Sequence, residues 1–148
     1  MVTGGAGFLG RHVCMELKER GYKFISIVGK SPIDKVYDWC SKNGFQYGQC
    51  DLRKYEDTRD AFSTGFYGAV INLAASVGGI GANQTSSADF MMDTLKIGTN
   101  MIEAAKNDFI MSRCGGKFVQ LGTVCAYPKY TPIPFKEEDI WNGYPEET

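Results

Sequence analysis

Short apolar runs and longer amphipathic stretches alternate along the chain. "FISIV" at 24–28 and "AVINLAA" at 69–75 are continuous apolar runs, the pattern of strands covered on both faces. "MVT" at 1–3 is a shorter candidate strand, "FQYGQ" at 45–49 a weaker one, and "KFVQLG" at 117–122 the last. Between them, residues 10–20 read as a helix with Val13, Met15 and Leu17 on its apolar side. Residues 33–43 read as a helix closed by "NG" at 43–44, and a short helix is expected over 55–63. A glycine-rich loop then leads into a long helix over 87–107. Its positions Met91, Leu95, Gly98/Thr99, Ile102 and Ala105 recur with the helical period. Repeated strand–helix alternation predicts βαβ units and a parallel sheet. Right-handed crossovers make it a doubly wound α/β sheet, in the order 3-2-1-4-5. Four of the five prolines fall within 128–145, so that segment is expected to be irregular surface rather than a second domain.

The loop "TGGAGFLGRH" satisfies G-x-G-x-x-G at Gly5, Gly7 and Gly10, and G-x-x-G-x-x-G at Gly4, Gly7 and Gly10. Such a match is weak alone in a chain with 18 glycines, but here it follows a strand and opens a helix. Glycine suits this turn because the backbone must bend sharply and approach a pyrophosphate where a Cβ would clash. The helix beginning near Phe8 and Leu9 then points its free N–H groups at the phosphates. The whole chain, 1–148, therefore reads as one dinucleotide-binding domain of the Rossmann type. An acid commonly meets the adenosine ribose about 20 residues after the last glycine. This sequence has Lys30 there and no acid before Asp34. A cation suits a 2′-phosphate and favours NADP over NAD; a merely solvated lysine is the other reading.

Charge narrows the field. There are 16 Lys and Arg against 17 Asp and Glu, and no basic cluster that would attract nucleic acid or a membrane surface. No apolar run approaches the ~20 residues that span a bilayer. Glycines interrupt the N-terminal stretch where a signal peptide has a continuous apolar core, so a soluble, cytoplasmic protein is expected. The five cysteines, at 14, 40, 50, 114 and 125, are irregularly spaced and fit neither a disulfide framework nor a zinc site. A single histidine excludes a His-based metal cluster.

Four segments together resemble the extended short-chain dehydrogenase/reductase family, the NAD(P)-dependent nucleotide-sugar epimerases and dehydratases. They are "TGGAGFLG" at 3–10, "CDLRK" at 50–54, "NLAASVGGIGAN" at 72–83 and "LGTVCAYPK" at 121–129. The last two look most like the GDP-L-fucose synthase branch, whose substrate is a 4-keto-6-deoxy GDP-hexose. The resemblance implies that Asp51 and Leu52 border the adenine, and that Leu73, Ala74 and Ala75 line the cofactor. It implies that Val77, Gly78, Gly79 and the residues up to Asn83 form a loop over nicotinamide and sugar, although a plain connector would read the same way. It gives Thr123 a hydrogen bond to the reacting sugar oxygen and Cys125 a proton shuttle during epimerisation. Residues two apart on a strand share a face, so both would address one substrate. A small buried thiol fits the place of Cys125 equally well. The resemblance also implies homodimers paired through the long helix, whose apolar stripe is equally explained by packing on its own sheet.

The family's acid–base pair is Tyr-x-x-x-Lys, in which the lysine holds the tyrosine's pKa down for proton exchange. No lysine of this sequence follows a tyrosine by four positions. The expectation is a chain truncated at both ends, without the substrate domain and inactive alone, with the fifth strand as an open edge. A catalytically silent NADP(H)-binding sensor or partner module is the competing reading.

Overall fold

The computed structural model describes residues 1–108 and 113–145, with all their side chains except those of Ile80 and Asn83. Five parallel strands form one sheet: β1 (Val2–Thr3), β2 (Ser26–Gly29), β3 (Gln46–Gln49), β4 (Ala69–Asn72) and β5 (Lys117–Gln120). Their order is β3-β2-β1-β4-β5, as the crossover rule predicts. The central strand is the shortest, with Val2 opposite Ile27 and Ile71, and Thr3 opposite Val28 and Asn72.

The two-residue period of the strands divides the core into two layers. Val2 and Ile27 face one side, where they meet Cys14 of α1 (Phe8–Glu19) and Val36 and Cys40 of α2 (Ile33–Asn43). Met1, Val28 and Val70 face the other, against Phe62 of α3 (Tyr55–Ser63) and Ile97, Met101 and Ala104 of α5 (Ser87–Asn107). Ile27 and Val70 have no exposed surface, a burial worth ~1.5–3 kcal/mol for each such side chain. The stop signal at "NG" works as read: Gly44 takes a left-handed φ of 74°, and the Phe45 amide closes onto the Cys40 carbonyl at 2.9 Å.

Three expectations change. The second strand starts at Ser26, because Phe24 projects beyond the paired region and is 95% exposed. The loop after β4 is half helical: α4 (Ile80–Thr85) occupies its second part. Finally, Met91, Leu95 and Ile102 do not pack on the sheet. They are 62%, 49% and 55% exposed, while Ile97, Met101, Ala104 and Ala105 are buried. Helix α5 thus has two apolar faces, and the sequence stripe follows the outer one through Met91, Leu95 and Ile102, with Ala105 turned to the core. Beyond β5 the chain is irregular, with 3₁₀ turns at Val124–Ala126 and Glu137–Trp141 and one antiparallel bridge between Pro128 and Pro145. No helix among the described residues is long and apolar enough to cross a membrane.

Candidate functional site

Parallel strands direct all their carboxyl ends to one rim, and the glycine turn lies there between β1 and α1. Gly4 has φ 65°, and a Cβ on it would stand 3.1 Å from the Ala74 nitrogen. Its amide donates to the Val28 carbonyl at 2.8 Å, and the Gly7 amide returns to the Gly4 carbonyl at 2.9 Å. Gly10 serves the packing of the helix on the turn: a Cβ there would meet the Gly4 carbonyl oxygen at 2.3 Å and the Gly5 Cα at 2.5 Å. No side chain caps α1. The amides of Phe8, Leu9 and Gly10 have no carbonyl of their own helix to reach. Bare amides at a helix N-terminus suit an anion, and the turn that presents them leaves no room for a Cβ at Gly4 or Gly10.

The turn opens into a cleft of about 240 Å³. Of the sequence-predicted residues, Gly4, Gly7, Lys30, Asp51, Leu52, Leu73, Ala74 and Ala75 line it. Leu73–Ala75 follow the end of β4 as an extension into the cleft. Phe8 and Leu9 turn their side chains outward, at 86% and 46% exposure, and contribute main chain only. Lys30 is exposed and, among the described residues, forms no ion pair.

Asp51 is committed. Arg53 donates to it through Nε at 2.8 Å and Nη2 at 2.7 Å, and through Nη1 to Asp93 of α5 at 3.0 Å. The Arg53 side-chain hydrogen bonds hold the Asp51 carboxyl down to about 2, against a weaker opposing effect of burial. Beneath this clamp the Cys50 thiol is pushed up to about 11, by burial first and by the Asp57, Asp51 and Asp60 carboxylates next. It is a protonated core thiol. Arg53, Asp93 and Tyr47 are cleft residues that sequence reasoning missed. The two-residue spacing of Asp51 and Arg53 was visible, whereas the partner 40 residues away was not.

The substrate side is looser. Thr123 and Cys125 stand beyond the carboxyl end of β5, outside the cleft wall. They are not on a strand, as the two-residue argument assumed: β5 ends at Gln120, and Thr123 caps the 3₁₀ turn by accepting the Cys125 amide at 3.2 Å. The cap leaves the Thr123 hydroxyl proton free to donate. Cys125 is exposed, so the buried-thiol alternative does not describe it. Val77, Gly78 and Gly79 form the exposed lead into α4, with Gly78 tight against Ala82 and Phe90. Asn83 falls in α4, its side chain outside the described residues.

A polar relay, buried at Thr3 and Asn72 and reaching the surface at Gln120, joins the two sides. The Thr3 hydroxyl donates to Asn72 Oδ1, and Asn72 Nδ2 donates to Gln120 Oε1 at 2.7 Å. Gln120 Nε2 donates onward to the Leu121 carbonyl at 3.1 Å, so β1, β4 and β5 are tied at the ligand-facing rim.

A doubly wound parallel sheet with a bare glycine turn at its carboxyl rim is a Rossmann-like fold. The chain belongs to the NAD-dependent epimerase/dehydratase family, whose model matches residues 1–147. It is similar to GDP-L-fucose synthase 1 of Arabidopsis thaliana, 32% identical over 147 residues, which are 99% of this chain and 39% of that protein. Probable GDP-L-fucose synthase 1 of Oryza sativa subsp. japonica is 36% identical over 104 residues, 69% of this chain and 30% of the relative. The chain thus spans between 30% and 39% of these two relatives. Among solved structures, DdhaC matches with a TM-score of 0.74 at 27% identity, covering 99% of this chain and 36% of its own. The UDP-glucose-4-epimerase of Stenotrophomonas maltophila, solved with bound NAD, matches at 0.72 and 23% identity, over 92% of this chain and 40% of its own. That is a likeness of fold.

Proposed function

We propose that this chain forms the cofactor-binding part of a nucleotide-sugar epimerase/reductase of the GDP-L-fucose synthase type, binding NADP(H) in preference to NAD(H). One observation carries the reading: an uncapped glycine turn and an uncommitted Lys30 share one cleft, at the rim that also bears Thr123 and Cys125. Bare amides suit a diphosphate, and the ammonium of Lys30 suits a further phosphate on the ribose. When bound, the nicotinamide supplies hydride to the keto carbon of the sugar. The Thr123 hydroxyl donates to the reacting sugar oxygen. The Cys125 thiol exchanges the proton on the neighbouring carbon as its configuration inverts. A GDP-hexose is favoured because fucose synthases and a GDP-mannose 3,5-epimerase of Arabidopsis thaliana, 30% identical over 152 residues, are among the relatives. Five free cysteines suit a reducing, cytoplasmic compartment.

The same reading assigns a homodimer to the full-length protein, paired through the outer face of α5. Met91, Met92, Leu95 and Ile102 leave that face apolar and exposed. Sedimentation should show a dimer that Leu95→Glu converts to monomer; a wild-type monomer at high concentration refutes the assignment.

Fluorescence titration with NADPH and NADH tests the central reading. NADPH should bind more tightly, and Lys30→Ala should remove most of the difference. Equal and very weak binding of both cofactors overturns it. A silent sensor would bind NADPH but leave Cys125 alkylation unaffected by a GDP-hexose, whereas the enzyme reading expects protection.

A further inference from the structure

Tyr47 occupies the second position of β3, paired with Ile27 across the sheet. Its ring packs against the α1–α2 core, and its hydroxyl leaves that core for the cleft. There it lies 2.9 Å from the Gly29 carbonyl oxygen and 2.8 Å from that of Ser31. These two carbonyls flank Lys30. The Gly29 oxygen already accepts the Cys50 amide at 2.9 Å, so the phenol proton matters most at Ser31. One phenol therefore braces the turn at the end of β2 from both ends, touching the peptide that leads into Lys30 and the Ser31 carbonyl one peptide beyond the lysine. Burial raises the phenol's pKa against the hydrogen bond to Ser31, so it stays a donor at neutral pH.

Lys30 has no ion pair of its own among the described residues to hold it in place. The nearby carboxylate, Asp51, is taken by Arg53, and Arg53 is itself held by Asp51 and Asp93. Among the described residues that line the cleft, Lys30 is thus the cation left for an incoming dianion, and its backbone is positioned by Tyr47.

We infer that Tyr47 is a positioning residue for cofactor selectivity: its hydroxyl holds the turn from Gly29 to Ser31 so that Lys30 meets a phosphate on the adenosine ribose. The inference rests on the reading of Lys30 given above. A purely structural tyrosine would affect both cofactors alike. A positioning tyrosine affects only the one that carries the extra phosphate.

The test uses Tyr47→Phe, which keeps the ring in the core and removes only the hydroxyl, with Lys30→Ala and the double variant. NADPH and NADH are titrated against each, with 2′,5′-ADP and ADP as probes lacking nicotinamide. Tyr47→Phe should weaken NADPH and 2′,5′-ADP by about tenfold, the order set by one hydrogen bond to a positioned group, and leave NADH and ADP within about twofold. The double variant should bind NADPH no more weakly than Lys30→Ala alone, because both act through one contact. If Lys30→Ala collapses the selectivity but Tyr47→Phe leaves it intact or weakens both cofactors equally, the Tyr47 inference fails and the Lys30 reading stands. If Lys30→Ala leaves the NADPH-to-NADH ratio unchanged, both fail together.

Discussion

Between Gly4 and Gly10 the backbone is held by its own hydrogen bonds and by contacts that admit no Cβ, and the neighbouring cleft wall is clamped by Arg53 and braced by Tyr47. Between Leu121 and Cys125 every residue is exposed. The segment is held by the Leu121 amide on the Asn72 carbonyl at 3.1 Å, by Gln120 Nε2 on the Leu121 carbonyl at 3.1 Å and by the bonds of one 3₁₀ turn, including the Cys125 amide on the Thr123 hydroxyl at 3.2 Å. The two regions lie on one rim of one sheet. A diphosphate is the same in every dinucleotide, so its receptor can be rigid and made of main chain. On the function proposed above, the second region would be a substrate-side shelf, and exposed side chains can change their chemistry without disturbing the fold.

The largest effect expected from breaking that contrast is at Gly10. Gly10→Ala places a methyl 2.3 Å from a backbone oxygen that cannot yield. Overpacking of this kind costs ~1–3 kcal/mol. Urea denaturation should show the loss, and cofactor titration should show binding abolished; an unchanged midpoint would mean the turn is not rigid. Next is the tie between the two regions. Asn72→Ala leaves the buried Thr3 hydroxyl without its acceptor, a cost of ~1–3 kcal/mol in the same assay, while the exposed Gln120 amide turns to water. It should also raise hydrogen exchange at Leu121, whose amide donates to the Asn72 carbonyl.

A smaller, pH-dependent effect belongs to Asp51. Its folded-state pKa of about 2 lies below the ordinary 3.8, so its contribution is complete above about pH 4 and is lost as the pH falls through 2. Arg53→Met should flatten that part of the stability–pH curve; an unaltered acid limb would remove Asp51 from the account. The smallest effect is at the shelf. Cys125→Ala should change stability by no more than ~0.5 kcal/mol, because the exposed thiol supports nothing beneath it. A loss above 1 kcal/mol would erase the distinction between the regions.

Elements with local signals were legible in the sequence. Helix α2 runs over 33–43 because a Pro-led start and an Asn-Gly stop bracket it, and α3 covers 55–63 as read. The glycine turn was legible because its constraint lies within seven residues. The relay from Thr3 to Asn72 to Gln120 was not, since its partners are 69 and 48 residues apart and only strand order brings them together. The outer face of α5 misled for a related reason. A helical period says that one stripe is apolar, and α5 has two, of which the sheet takes the one through Ile97 and Met101. The Thr123–Cys125 pair was placed at the correct strand end, but on a strand rather than on the 3₁₀ turn that Thr123 itself caps.

The relay from Thr3 to Gln120 also acts as a measuring rod. Thr3 immediately precedes the glycine turn and Gln120 immediately precedes the segment from Leu121 to Cys125, so two buried side chains and one at the surface span the sheet between the two segments. Among the described residues between β4 and β5, the exposed lead from Val77 to Gly79 can change its surface without touching that span. On the function proposed above, the separation of the diphosphate and sugar subsites would be inherited from the sheet, and the choice of sugar would be left to the periphery.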